Sequence, residues 1–301
     1  MTATVLPTPA VTVATADSPV HPVKAILSIA GSDPSGGAGI QADLKTFATL
    51  GVYGAAAITC LTVQNTTGVF ATHPVAPEIV KDQAVKVLAD LEVSHIKLGM
   101  LGNDEIVRAV GEVLADFRGE VICDPILRAS SGQSLLEEAA LAAFKREIIA
   151  RSTVLTPNFR EFQTLAGLTG DSEEEIRAAI SRMFADYPRL TAIVLKGGHL
   201  CEERPLVVDT LFLRKTTGFT SSESRRERLQ TPNTHGTGCT FAAALAAGQQ
   251  KTGNWEAAFH LTCAYLDQLL RLSASYQIGH GTGPLLHHLY QVPSVTAKMF
   301  P

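Results

Sequence analysis

The chain has 301 residues, 46% of them hydrophobic and 18% charged, with a formal net charge of -4, the composition of an ordinary globular protein. That balance argues against a basic nucleic-acid binder, and no apolar stretch of about 18 residues free of polar breaks offers a membrane span. The five cysteines, Cys60, Cys123, Cys201, Cys239 and Cys263, are odd in number, widely spaced and without a CxxC pair, which excludes a disulfide framework or zinc site as the organising element.

Residues 1–23 are rich in Thr, Ala, Val and Pro, with no Lys or Arg before Lys24 and no long apolar block. They read as a disordered tail, not as a secretory signal or transit peptide, and the expected location is the cytoplasm. Residues 24–301 are expected to form one domain. Its first strand is predicted at Ala25-Ile26-Leu27-Ser28-Ile29-Ala30. A Gly-rich stretch, Gly31-Ser32-Asp33-Pro34-Ser35-Gly36-Gly37-Ala38-Gly39, leads from it into a helix carrying Asp43. No Gly-Lys-Ser/Thr follows, so this is not a Walker A loop, and it does not spell GxGxxG.

Residues 55–63 predict a second strand, ending on Gln64-Asn65. Val80, Ala84, Val87, Leu88 and Leu91 then share one helix face, and 94–98 predict a third strand. Ile106, Val110, Val113, Leu114 and Phe117 form the next helix stripe behind an Asn103 cap. Strands follow at 121–124 and 154–156, and a capping box at Ser172-Glu173-Glu174-Glu175 opens a helix on Ile176, Ile180, Met183 and Phe184. The last strands are predicted at 192–196 and 206–213, whereas residues 215–228 are polar, a loop or hairpin whose Arg225, Arg226 and Arg228 read as solvated. Short apolar runs alternating with helical stripes predict an α/β fold with a parallel sheet covered on both faces.

In such a sheet the ligand crevice lies beyond the carboxyl ends of the strands. Ser32-Asp33, Gln64-Asn65, Asp124, Asn158 and Lys196 all fall at such ends. Thr234-His235-Gly236-Thr237-Gly238-Cys239 runs into the helix former Thr240-Phe241-Ala242-Ala243-Ala244-Leu245. Glycines before an Ala-rich helix let unpaired N–H groups converge on an anion, and the helix dipole adds to the attraction. The turn from Gly236 through Thr237 and Gly238 to Cys239 therefore reads as an anion hole suited to a transferring phosphoryl group, with Lys196 among the polar strand ends around it.

These stretches, together with Gly31 to Thr46, Val63-Gln64-Asn65-Thr66, Lys97-Leu98-Gly99-Met100-Leu101, Thr156-Pro157-Asn158 and Lys196-Gly197-Gly198-His199, resemble the hydroxymethylpyrimidine/phosphomethylpyrimidine kinases of thiamine biosynthesis, in the ribokinase superfamily. The resemblance spans about Ala25 to His288. It implies a ribokinase-like three-layer α/β/α fold with a mostly parallel central sheet, ATP as co-substrate with Mg2+, a homodimer, and two successive phosphorylations of 4-amino-5-hydroxymethyl-2-methylpyrimidine. It also implies that Cys239 stands at the catalytic position, and that Asn158, Glu161, Lys196 and Thr237 meet the nucleotide and its phosphates. Asp124 and Glu161 would hold the metal, and Gly31, Asp43, Gln64 and Met100 the pyrimidine.

A free thiol at a helix N-terminus is expected to be partly thiolate near neutral pH, so Cys239 would accept the hydroxymethyl proton. In the second reaction the nucleophile is a phosphate oxygen already ionised, and no such base is needed. Gln64 can donate and accept toward the paired ring nitrogen and amine of an aminopyrimidine. A pyridoxal or pyridoxine kinase of the same branch, with Cys239 able to add to the aldehyde, is the nearest alternative. A thiol hydrolase built on Cys239 and His235, or a nucleotide sensor without turnover, would be a different class; for the former, the two residues sit only four apart across a Gly turn and the sequence shows no evident orienting acid.

Overall fold

Strand β1 (Ala25–Ser32) is buried from Ala25 to Gly31, as a strand covered on both faces must be. The computed structural model describes residues 21–127, 138–199 and 205–291; most of the expected tail and Cys201 lie outside them. β1 pairs in parallel with β2 (Tyr53–Asn65) on one side and β4 (Val93–Leu98) on the other. Beyond β4 the parallel sheet continues through β5 (Glu120–Cys123), β6 (Val154–Leu155) and β7 (Ala192–Leu195). Antiparallel strands close both flanks: β3 (Gly68–Pro74) beside β2, and the hairpin of β8 (Leu206–Arg214) and β9 (Phe219–Glu227) beside β7. The nine-stranded order is β3-β2-β1-β4-β5-β6-β7-β8-β9.

Period-two alternation sends each strand's residues to two cores. Leu27, Ile29, Val121, Cys123, Ile193 and Leu195 meet α2 (Pro77–Asp90), α3 (Asp104–Asp116), α4 (Glu138–Glu147), α5 (Phe159–Ala166) and α6 (Glu173–Asp186). Ile26, Ile122, Ala192 and Val194 meet the other layer, α1 (Gly39–Thr49), α7 (Thr237–Thr252) and α8 (Trp255–Ser273). Helix α7 is buried continuously from Cys239 to Gly248, because it lies between the sheet and other helices, and its alanines permit that close approach. The expected caps are present: Asn103 accepts the Ile106 amide at 2.9 Å, and Ser172 and Glu175 form a reciprocal box.

The sheet also corrects one expectation. The hairpin alternative for 215–228 holds, with residues 219–227 as its second strand, but Arg226 is not solvated: it pairs with the buried Asp209 of β8. No helix among the described residues is long and apolar enough to cross a membrane.

Candidate active site

The chain leaves β1 toward β2 on one side and returns as β4 on the other, so the strand order reverses at β1. The carboxyl ends there open into a cleft of about 1640 Å3, lined by Ser32, Asp33, Gln64, Asn65, Asp124, Asn158 and Lys196, the full set of strand-end residues expected from the sequence.

Gly236 turns the chain into α7 at φ +80°, and a Cβ there would run into the Gly37 carbonyl. Only glycine fits this turn. Gly236 is the N-cap, no side chain caps the helix, and its first turn holds no acid. The Thr237 amide donates to the Thr234 carbonyl at 3.3 Å. The next amides, of Gly238 and Cys239, belong to the helical turn that has no intrahelical acceptors, and the dipole favours an anion in front of them.

Gly238 marks where that anion would lie, because a Cβ on it would sit 3.4 Å from Asp124 Oδ2 and 3.5 Å from Lys196 Nζ. Lys196 donates to Asp124 Oδ1 at 2.8 Å, and Thr156 Oγ donates to the same oxygen at 3.2 Å. Burial disfavours the ammonium, but Asp124 and Glu161 outweigh it and raise the Lys196 pKa. Asn158 and Glu161 form a capping box on α5, with the Glu161 carboxylate accepting the Asn158 amide at 2.8 Å and Asn158 Oδ1 the Glu161 amide at 2.9 Å. Burial pushes Glu161 up to about 7, with Asp124 adding to the rise and Lys196 opposing it.

The buried Asp124 and the half-buried Glu161 suit a divalent cation, which would offset the Asp124 charge that adds to the Glu161 rise. No group of three or more His, Cys, Asp or Glu among the described residues forms a protein cage. Two carboxylates with the rest of the shell left to water and phosphate match the way Mg2+ is held in phosphoryl-transfer sites.

Two expectations change. Cys239 is buried, and burial pushes its thiol up to about 11; the Lys97 ammonium and the Gly39 amide oppose the rise, while Asp43 and Asp124 add to it. Burial thus outweighs the Lys97 ammonium and the Gly39 amide, and the thiol is protonated near neutral pH. Asp43 does not line the cleft. It lies fully buried beneath it, where Oδ2 accepts from Ser28 Oγ at 2.6 Å and from the Lys97 ammonium at 2.9 Å. Burial lowers the Lys97 pKa, but the Asp43 and Asp124 carboxylates outweigh that and keep the ammonium charged.

The pyrimidine-side residues do converge. Gly31, Gln64 and Met100 line the cleft, and Met100 Sδ lies 3.6 Å from where a Gly31 Cβ would be. Asp33, expected only as a strand-end polar group, organises the whole 33–38 turn. Its carboxylate accepts from the amides of Ser35, Gly37 and Ala38 at 2.8, 3.2 and 2.9 Å, from Ser35 Oγ at 2.7 Å and from His235 Nε2 at 2.8 Å. Burial would raise the Asp33 pKa, yet the bonds from His235 and Ser35 outweigh it and hold it at about 2.

The sequence does not assign His235 and Lys97 these roles, since only the fold brings them to Asp33 and Asp43. The Asp209–Arg226 pair was missed as well: Asp209 accepts the Gly197 amide at 2.9 Å, and Arg228 donates to the Gly198 carbonyl at 3.0 Å, so the hairpin fixes the turn after Lys196. Ser221-Ser222-Glu223-Ser224-Arg225-Arg226 is polar throughout, so no apolar alternation signals this pair in the sequence.

A mostly parallel α/β sheet with an uncapped helix N-terminus, a lysine and two acids along the carboxyl ends of its strands defines a ribokinase-like small-molecule kinase. The chain belongs to the phosphomethylpyrimidine kinase family, whose model matches residues 33–286. It is similar to the hydroxymethylpyrimidine/phosphomethylpyrimidine kinase of Rhizobium meliloti (strain 1021), with 41% identity over 88% of this chain and 97% of that protein. Among solved structures, pyridoxal kinase from Staphylococcus aureus in complex with ADP superposes with a TM-score of 0.78 at 28% identity, covering 89% of this chain and 94% of that one. Phosphomethylpyrimidine kinase from Clostridium difficile 630 gives 0.67 at 29% identity, covering 82% of this chain and 98% of that one.

Proposed function

We propose that this chain transfers the γ-phosphoryl of ATP to 4-amino-5-hydroxymethyl-2-methylpyrimidine, and then a second phosphoryl to the monophosphate. The observation that carries the reading is the convergence on Gly238 of the open α7 amides, Lys196 and Asp124, in one cleft with Gln64, Gly31 and Met100. Phosphoryl transfer requires positioning and charge neutralisation. The Gly236 to Cys239 turn holds the transferring group, Thr237 and Lys196 meet the nucleotide phosphates, and Asn158 with Glu161 shapes the nucleotide side. Asp124 and Glu161 would hold Mg2+, which when bound neutralises phosphate charge. Gln64 pairs with the amine and ring nitrogen, while Met100 and the bare Gly31 flank the ring.

Cys239 handles the alcohol proton. With its thiol up at about 11, the ionised fraction grows by about tenfold per pH unit through the neutral range. The first phosphorylation is therefore expected to quicken with rising pH toward 10, and the second to lack that slope.

Leu61, Val63 and Phe70 are more than half exposed on β2 and β3, an apolar face suited to a homodimer. A cytoplasmic location fits the ATP requirement. The test is a phosphate-transfer assay with the hydroxymethylpyrimidine and its monophosphate, following both products; absence of either product contradicts the reading. The likeness to the Staphylococcus aureus pyridoxal kinase supports pyridoxal as a second substrate. A kcat/KM for pyridoxal above that for the pyrimidine would make it the main one.

A further inference from the structure

A glutamine amide has a donor end and an acceptor end of equal shape, so Gln64 by itself does not dictate which way an aminopyrimidine lies. The group that decides stands on the Cys239 turn. His235 Nε2 is 2.8 Å from Asp33 Oδ2 and 3.2 Å from the Gln64 amide at Nε2. Asp33 already accepts from two hydroxyl or amide groups of Ser35 and from the Gly37 and Ala38 amides, the role of an ionised, acceptor-only carboxylate. Nε2 must therefore carry the ring proton, since a bare ring nitrogen against that carboxylate would be repelled.

An N–H can be shared between two acceptors but cannot face an NH2. The nitrogen end of Gln64 toward His235 would set donor against donor. Turning the amide by 180° is free of steric cost, and it brings the oxygen to His235 and the NH2 to Thr62 Oγ, 3.1 Å from the other end of the amide. Thr62 Oγ in turn donates to the Ser32 carbonyl at 3.0 Å. In the row Ser32, Thr62, Gln64, His235, Asp33, each donor then meets an acceptor.

We propose that His235, oriented by Asp33, is a positioning residue that locks the Gln64 oxygen toward the Cys239 turn and so admits the aminopyrimidine in one orientation, amine to Gln64 oxygen and ring nitrogen to Gln64 N–H. This rests on the aminopyrimidine reading above. An analogue with the 4-amine replaced by a 4-oxo group reverses the pattern, with ring N–H and carbonyl oxygen meeting the wrong ends, and the locked amide rejects it.

The experiment measures kcat/KM for the 4-amino and 4-oxo pyrimidines in the wild type, His235→Ala and His235→Gln. With His235→Ala the amide is free to turn, and the preference for the amino compound is expected to fall by about tenfold or more. His235→Gln places an N–H near the former Nε2 and is expected to restore most of the preference. An unchanged preference in His235→Ala, or no restoration in His235→Gln, overturns the proposal. Nitrogen NMR of the wild type, which needs no variant and no substrate, gives an independent readout: neutral His235 is expected to carry its proton on Nε2, and a proton on Nδ1 alone overturns the lock. Wild type inactive on the amino compound would instead defeat the aminopyrimidine reading.

Discussion

The two glycine-rich turns of the cleft use their backbone amides in opposite ways. In the turn after β1, the amides of Ser35, Gly37 and Ala38 converge on the Asp33 carboxylate. In the turn before α7, no side chain caps the helix and no acid lies in its first turn. Both are anion nests in the sense of convergent N–H groups. The first contains its own anion and is a finished, rigid piece of wall. The second is open, and Lys196 stands in front of it with Asp124 and Glu161. A Gly-rich spelling thus says that amides converge; whether an acid sits inside the loop says if they are available to a ligand.

The turns meet through Gly37, Gly236 and His235, and beneath them Asp43 of α1 pairs with Lys97 of β4. Removing one member leaves the other charge buried alone, so Lys97→Ala is expected to destabilise the protein by about 3–5 kcal/mol. Chemical denaturation measures it, and a loss near zero would mean that the pair does not support the floor of both turns. Lys196→Ala addresses the open turn only. It is expected to lower kcat by about 10²–10³, and because it leaves the buried Asp124 without its cation it is also expected to lower the melting temperature.

Asp33→Ala addresses the closed turn. It orphans buried amides at a cost of about 1–3 kcal/mol, read by the same denaturation. Because the Asp33 pKa is depressed to about 2, its contribution is present above the ordinary carboxylate range and is lost as pH falls toward 2. The difference in stability between wild type and Asp33→Ala is therefore expected to shrink with acidification. A constant difference would show that the carboxylate charge is not what fills the first turn.

Most of the fold was legible because it follows from local rules. The apolar runs at 25–30, 121–124 and 192–196 are strands since both their faces are covered, and Asn103 and Ser172 cap helices where the spacing says so. Strand β9 was not, since its residues are nearly all polar: its partner Asp209, not an apolar core, holds Arg226. The strand-end set of the cleft was legible from topology alone. Burial was not: the exposure of Cys239 and Asp43 depends on how α1, α7 and β4 pack, and that packing turns an expected thiolate into a thiol and an expected ligand contact into a buried ion pair. Asn158-x-x-Glu161 had two readings in sequence, cap and phosphate-side element, and the geometry makes it a cap that also lines the cleft.

On the proposed function, the open turn serves phosphoryl transfer to an alcohol first and to a phosphate second, with Cys239 needed for the proton of the alcohol alone. The direct measurement is kcat/KM of Cys239→Ala in the two half-reactions, assayed separately with the hydroxymethylpyrimidine and its monophosphate. A loss of about 10² or more in the first with less than about tenfold in the second is the expected result; equal losses in both would contradict the account.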